Sequence, residues 1–426
     1  MLSRRDFLFL GGTLLAGTAA ASPLPPAPTD QSPLGPLGPP DENGLCLPPL
    51  FRSRVVARQG DLVPGTGYRW HVAPDGGATF ATPGGWIYVS NSEGVPGGVG
   101  AIRFDPSGRS IDAYPILSGT RRNCAGGATP WGSWLSCEEV SDGLVYECDP
   151  TGARPAVPLP ALGRFQHEAV AVDARERRLY LTEDQADGAL YRFTPNAWER
   201  LDGGVLEVAV GVLFPTASPS ARPESLGWQP VPNPTPGPGQ MPTRRQVLGT
   251  RPFAGGEGIA WDRGHVYFTT KLDNRVWDYE TSTQRLQVLY DVNLDPNRQL
   301  SGVDNVATAL SGSLLVAEDG GNMELVLVSL DGRAQPLLRV VGQNGSELAG
   351  PAFDPRGLRL YVSSQRGSDG RGITYEVTGP FFRLGLADPF EPQARIRRGR
   401  LGPRSPGLPA PFELPAPFRR GRLGPR

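Results

Sequence analysis

Cys137, Glu138 and Glu139 end the strand-like run Trp134-Leu135-Ser136-Cys137-Glu138-Glu139 and set a thiol beside two carboxylates. A thiolate in such company asks for a softer transition metal such as iron or zinc, whereas carboxylates and amide oxygens such as Asn91 and Asn305 favour calcium. Hydrophobic runs with polar or acidic ends return along the chain: Trp86 to Glu93, Leu179 to Asp184, Val266 to Lys271, Leu314 to Asp319 and Leu360 to Arg366. Measured at Glu93, Glu138, Glu183, Lys271, Glu318 and Arg366, the steps are 45, 45, 88, 47 and 48 residues. For any single acid, capping a strand end is a sufficient role. For the set Glu93, Glu138, Glu139, Glu168, Glu183, Asp184, Glu257, Asp304, Glu318 and Asp319 it is not, because so many ionised groups around one point repel strongly. A bound cation offsets that repulsion.

The elements that must position these residues follow from the period. Units of this length, each with several short strands and turn residues, are the signature of an all-β, six-bladed β-propeller with a metal site in its central channel. The double step holds a proline-rich insertion, 215–242, which reads as a loop of its own. A first strand with a polar start precedes each acid-ended strand, as in Glu168 to Asp173, Glu257 to Asp262 and Asp304 to Thr308. Antiparallel pairing places the start of one and the end of the other on the same rim, so Glu168 is expected near Glu183 and Asp184, and Asp304 near Glu318 and Asp319.

The chain ends carry different signals. Ser3-Arg4-Arg5-Asp6-Phe7-Leu8, an apolar run and Ala19-Ala20-Ala21 read as a twin-arginine export signal over 1–21, so the mature protein is expected to be periplasmic or secreted, without a stable membrane span. Residues 22–50 read as a Pro/Gly-rich linker, 51–383 as the propeller, and 384–426 as a basic low-complexity tail with a duplicated octapeptide. A net charge of -1 argues against a nucleic-acid partner, and a closed propeller with few free edges is expected to be a monomer. In an exported chain, Cys46, Cys124, Cys137 and Cys148 would by default pair, with Cys124 and Cys148 bridging one repeat and Cys137 kept as a ligand. Positive charge comes from 41 arginines and a single lysine, Lys271. The histidines are His71, His167 and His265, and only His167 sits at a rim position.

Asn123-Cys124-Ala125-Gly126-Gly127, Thr129-Pro130-Trp131-Gly132, Cys137-Glu138-Glu139 and His167-Glu168, with the twin-arginine leader, resemble the PhoX alkaline phosphatase family over about Tyr68 to Val377. The resemblance implies a propeller whose channel mouth holds iron and calcium, and hydrolysis of phosphate monoesters by a metal-bridged oxide or hydroxide. It implies Cys137 as an iron ligand and Asn91, Glu138, Glu168 and Glu257 as metal ligands; Asp304, Asn305 and Glu318 follow for calcium or supporting roles, and Glu93 joins the same set. Where the family tends to carry Asn-His-Glu this chain has Asn91-Ser92-Glu93, and where it carries Arg-Pro-Glu the chain has Gly255-Gly256-Glu257, so the arginine expected to grip phosphate is missing. Lys271 and Arg366 are candidate substitutes, with His167 as a third substrate contact. Two other functions stay open: a lactonase or esterase on a calcium-centred propeller, and a binding propeller whose metal is structural.

Overall fold

The structure, a computed structural model, describes residues 34–211, 223–309 and 311–381. Runs rich in Val, Ile, Leu and Tyr form short strands, and these associate into six antiparallel sheets of four or five strands. The innermost strands, Pro74–Thr82, Asn123–Ala128, His167–Asp173, Gly256–Asp262, Val303–Thr308 and Leu348–Phe353, surround one central cavity of about 300 Å³. This is the six-bladed β-propeller that the repeat implies, with blades one to six in that order.

Small residues let the inner strands crowd together. A Cβ at Gly76 would lie 2.5 Å from the Cα of Ala125 in the next blade, so glycine is required where blades one and two touch. Farther out, aromatic seams join the blades. Tyr88 and Tyr361 stack at 4.8 Å between blades one and six, and Trp228 donates to Tyr279 Oη at 2.9 Å between blades three and four. Blade six is completed by Arg52–Arg58, which pairs with Ile373–Thr378 as its outer strand. A strand from the start of the described chain thereby closes the ring.

Three expectations are corrected. The stretch 22–50 is not all unpacked linker: Leu45–Cys46 pairs with Ala334–Val340 as a fifth strand of blade five, and Leu34, Leu45 and Leu47 are buried. Asp41 Oδ1 accepts the backbone N–H groups of Asn43 and Leu45, which turns the proline-rich chain back onto the blade. In the insertion 215–242, Glu224–Ser225 extends blade four and Gly227–Pro230 extends blade three, so this part is sheet rather than loop. All four cysteines are free. A Cys124–Cys148 bridge is ruled out by the blade itself, since Cys124 lies on the innermost strand of blade two and Cys148 two strands farther out, on Val145–Cys148. The export signal over 1–21 and the tail over 384–426 lie outside the described residues. Among the described residues no helix is long and apolar enough to cross a membrane.

Candidate metal centre

In every blade the innermost strand carries a β-bulge at the same place. Pairing breaks between Pro74 and Gly77, Asn123 and Gly126, His167 and Val170, Gly256 and Ile259, Val303 and Val306, and Ala349 and Ala352. A bulge sets two residues against one and re-aims a side chain that the pleat would send elsewhere. The first residue inside the break is Asp75, Cys124, Glu168, Glu257 or Asp304 in blades one to five, and Gly350 in blade six. Neighbouring blades clamp these bulges. Asn91 Nδ2 donates to the carbonyls of Cys124 and Ala125, Thr182 Oγ1 to that of Glu257, and Thr269 Oγ1 to that of Asp304.

A second tier comes from the residue just past the second strand. Glu93, Glu139, Asp184, Lys271, Asp319 and Gln365 each donate a backbone N–H to the carbonyl of the residue before the inner strand, namely Ala73, Arg122, Gln166, Gly255, Gly302 and Glu347. One repeated hydrogen bond thus fixes an equivalent position in all six blades. The two tiers converge. Ligand-type atoms lie within 4.8 Å of one another in four groups: Cys124, Glu139 and Glu168; Glu168, Glu257 and Asp304; Asp304, Asp319 and Glu347; and Asp75, Glu93 and Glu347. Shared members make the groups one arc of carboxylates with a thiol at one end. Cys124 Sγ lies 3.2 Å from Glu168 Oε1 and 3.7 Å from Asp75 Oδ2.

Burial, and after it the adjoining carboxylates, pushes Glu168, Glu257 and Glu347 well above the usual carboxylate range, and Asp75 likewise. Burial raises Asp304 to about 6 against the pull of Lys271, and Glu139 to about 8 against that of Arg122. The Cys124 thiol is raised by burial and then by Asp75 and Glu168. Gathering these groups therefore disfavours their ionisation unless cations stand beside them. Cations at the rim answer part of the charge. Arg122 reaches Glu93 Oε1 at 2.5 Å and Glu139 Oε2 at 2.8 Å, Arg366 lies 3.3 Å from both Glu93 and Glu347, and Lys271 Nζ lies 2.6 Å from Asp319 Oδ2. Glu257 Oε1 stays buried without a hydrogen-bond partner, 3.4 Å from Lys271 Nζ. A ring of converging carboxylate oxygens with a thiol among them has the donor chemistry to hold metal cations.

Of the ligands expected from sequence, Glu93, Glu168, Glu257 and Asp304 meet here. Others do not. Cys137 is wholly buried in the core between blades two and three, beside Leu135, Val145 and Leu181, and burial alone raises its thiol pKa. Glu138 and Glu318 point back into their own blades: Glu138 accepts from the N–H groups of Arg121 and Leu144, and Glu318 from those of Ser301 and Glu324. Asn91 spends its amide on the bulge carbonyls, Trp134 and Ser136, and Asn305 accepts from Gly350 N while donating to Asp304. The Glu183 backbone pairs with His167, next to Glu168 as expected, but its carboxylate is held by Tyr191 and Arg244. His167 is fully buried with its ring against Phe165 and its Nε2 on the Gly163 carbonyl, so it does not reach the mouth. Lys271 and Arg366 do stand there. Asp75, Cys124, Glu139, Asp319 and Glu347 also converge in these groups; Glu139 and Asp319 are among the acids expected to crowd one point, and directly follow Glu138 and Glu318, the acids that the resemblance implies as metal-site residues, whereas Asp75, Cys124 and Glu347 carry no such signal in the sequence.

A family model described as alkaline phosphatase PhoX matches residues 106–147 and 140–367. No curated protein sequence matches the chain. Among solved structures, PhoX of Pseudomonas fluorescens in complex with vanadate, a transition state analogue, superposes with a TM-score of 0.69 at 16% identity, over 84% of this chain and 98% of that one. A gluconolactonase from Xanthomonas campestris gives a TM-score of 0.48 at 13% identity, over 82% of this chain and 99% of the other.

Proposed function

The chain belongs to the alkaline phosphatase PhoX family, and from that premise we propose that it is an exported, metal-dependent phosphohydrolase acting on phosphate monoesters at the channel mouth. The observation that carries this reading is the double tier of buried carboxylates and one thiol, rimmed by half-exposed arginines. Cys124 with Glu139 and Glu168 would hold the softer ion, iron, and the all-carboxylate group of Asp75, Glu93 and Glu347 would hold calcium. Such ions supply the positive charge that offsets the phosphate oxygens, and they lower the pKa of water toward neutrality.

The protein's own groups do the rest. Arg122 occupies in blade two the position that Gly255 occupies in blade four, directly before the inner strand. The arginine missing at Gly255 therefore has a counterpart one third of the way round the same mouth. With Arg366 across Glu93, it offers planar donor forks to the phosphate oxygens. Gln166 Nε2 holds Glu139 Oε1 at 2.9 Å, and Gln365 Nε2 holds Glu93 Oε2 at 2.7 Å, so both carboxylates are oriented before any ligand arrives. The leader Ser3-Arg4-Arg5-Asp6-Phe7-Leu8 supports export by the twin-arginine route. The test is hydrolysis of an aryl phosphate by protein loaded with calcium and iron. Turnover should vanish on chelation, and Arg122→Gln should raise KM about tenfold or more, as expected for loss of a charge-assisted contact. Loaded protein that matches its chelated control, or that turns over lactones and not phosphates, would overturn the reading.

A further inference from the structure

The tier just past the second strand is acidic in blades one, two, three and five, and amide-bearing in blade six, but in blade four it is Lys271. This is the only lysine among 42 basic residues. Its backbone is fixed like that of its five counterparts, by the hydrogen bond from its N–H to Gly255 O at 2.8 Å, so the ammonium starts from the ring's own position. From there Nζ reaches Asp319 Oδ2 at 2.6 Å, Glu257 Oε1 at 3.4 Å and Asp304 Oδ2 at 4.0 Å. Those three carboxylates belong to the two all-carboxylate groups of the blade four and five arc. Arg122 and Arg366 differ. Both have side chains nearly half exposed, 46% and 47%, against 32% for Lys271, and neither contacts a bulge-tier carboxylate.

We propose that Lys271 is a built-in cation that takes one metal's place: its ammonium pairs with the arc formed by Glu257, Asp304 and Asp319 and leaves that arc unavailable to an ion. Metal loading is then confined to the remainder of the ring, including the end that holds Cys124. The geometry makes this a matter of both charge and space. An ammonium is a compact charge with three donors and no acceptor, so it occupies the point between carboxylates where a divalent ion would sit. The inference rests on the metal-dependent reading of the site.

Metal content by native mass spectrometry, with elemental analysis, of calcium- and iron-loaded protein tests it. Wild type and Lys271→Arg should hold the same number of ions, while Lys271→Met and Lys271→Glu should each hold one more divalent ion per chain. A wild type that carries metal, with variants that carry the same number, overturns the proposal and leaves the metal reading intact. A complete lack of metal in every form overturns both. The unmutated chain gives a second readout, because Lys271 is the only side-chain amine. Acetylation of Lys271 by an amine-reactive ester, followed by peptide mass spectrometry, should be as slow in loaded as in chelated protein. Faster acetylation on loading would mean that metal expels the ammonium, and would overturn the proposal without any variant.

Discussion

At the scale of single residues, two thiols of blade two with similar burial have opposite surroundings. Cys124 faces Glu168 and Asp75, and Cys137 packs among aliphatic side chains with no charge beside it. A thiol binds metal as thiolate, so its neighbours decide its role: among cations held by carboxylates deprotonation is favoured, and in a dry apolar core it is not. Cys124→Ala should therefore remove the transition metal from protein loaded with iron and calcium while leaving the fold intact. Cys137→Ala should keep the metal and lower stability by about 1–2 kcal/mol through a small cavity. Elemental analysis beside thermal melting separates the two. Retention of iron by the Cys124 variant, or its loss from the Cys137 variant, would reverse the assignment.

At the scale of elements, the strand Leu45–Cys46 shows how a proline-rich segment joins a blade, since Leu45 is fully buried against the cluster that includes Leu325, Leu337 and Leu338. Leu45→Ala should cost about 3 kcal/mol, in the usual range for a buried leucine, and lower the melting temperature measured by calorimetry. An unchanged melting temperature would show that this fifth strand adds nothing to blade five. The elements also set how much of this architecture the sequence carries. The period of the acid-ended runs was enough for six blades, because each run is a second strand leaving the rim at an equivalent point. Which side chain faces the axis was not legible, because side chains alternate and a slip of one residue exchanges the faces. Glu138 and Glu318 cap backbone N–H groups of their own blades, while Glu139 and Asp319, one residue later, reach the ring. The bulges hide more, since an extra residue per inner strand leaves no mark in composition yet turns Cys124 and Asp75 inward. Leu34 and Leu45 were masked by the prolines around them.

At the scale of the whole molecule, a ring of buried carboxylates at the meeting point of six blades predicts a stability that depends on pH and on bound cations. A carboxyl group whose pKa is higher in the folded than in the unfolded chain binds its proton more tightly when folded. Its contribution is complete below the ordinary carboxylate pKa and is lost as pH rises through the folded value, about 6 for Asp304 and about 8 for Glu139. Asp75, Glu168, Glu257 and Glu347 are raised in the same direction. Metal-free protein should therefore grow less stable from about pH 5 to about pH 8, as buried carboxylates facing one channel are forced to ionise together. Cations compete for the same oxygens, so their binding releases protons and tightens as pH rises. Melting temperatures of calcium-loaded and chelated protein, measured across that range at fixed ionic strength, should diverge with increasing pH. The chelated form should fall while the loaded form holds nearly level. Parallel curves, or a gap that is widest in acid, would mean that the carboxylates of the two tiers do not share a cation, which would leave the six blades to their aromatic seams, the hydrogen bonds on the bulge carbonyls and the Arg52–Arg58 closure.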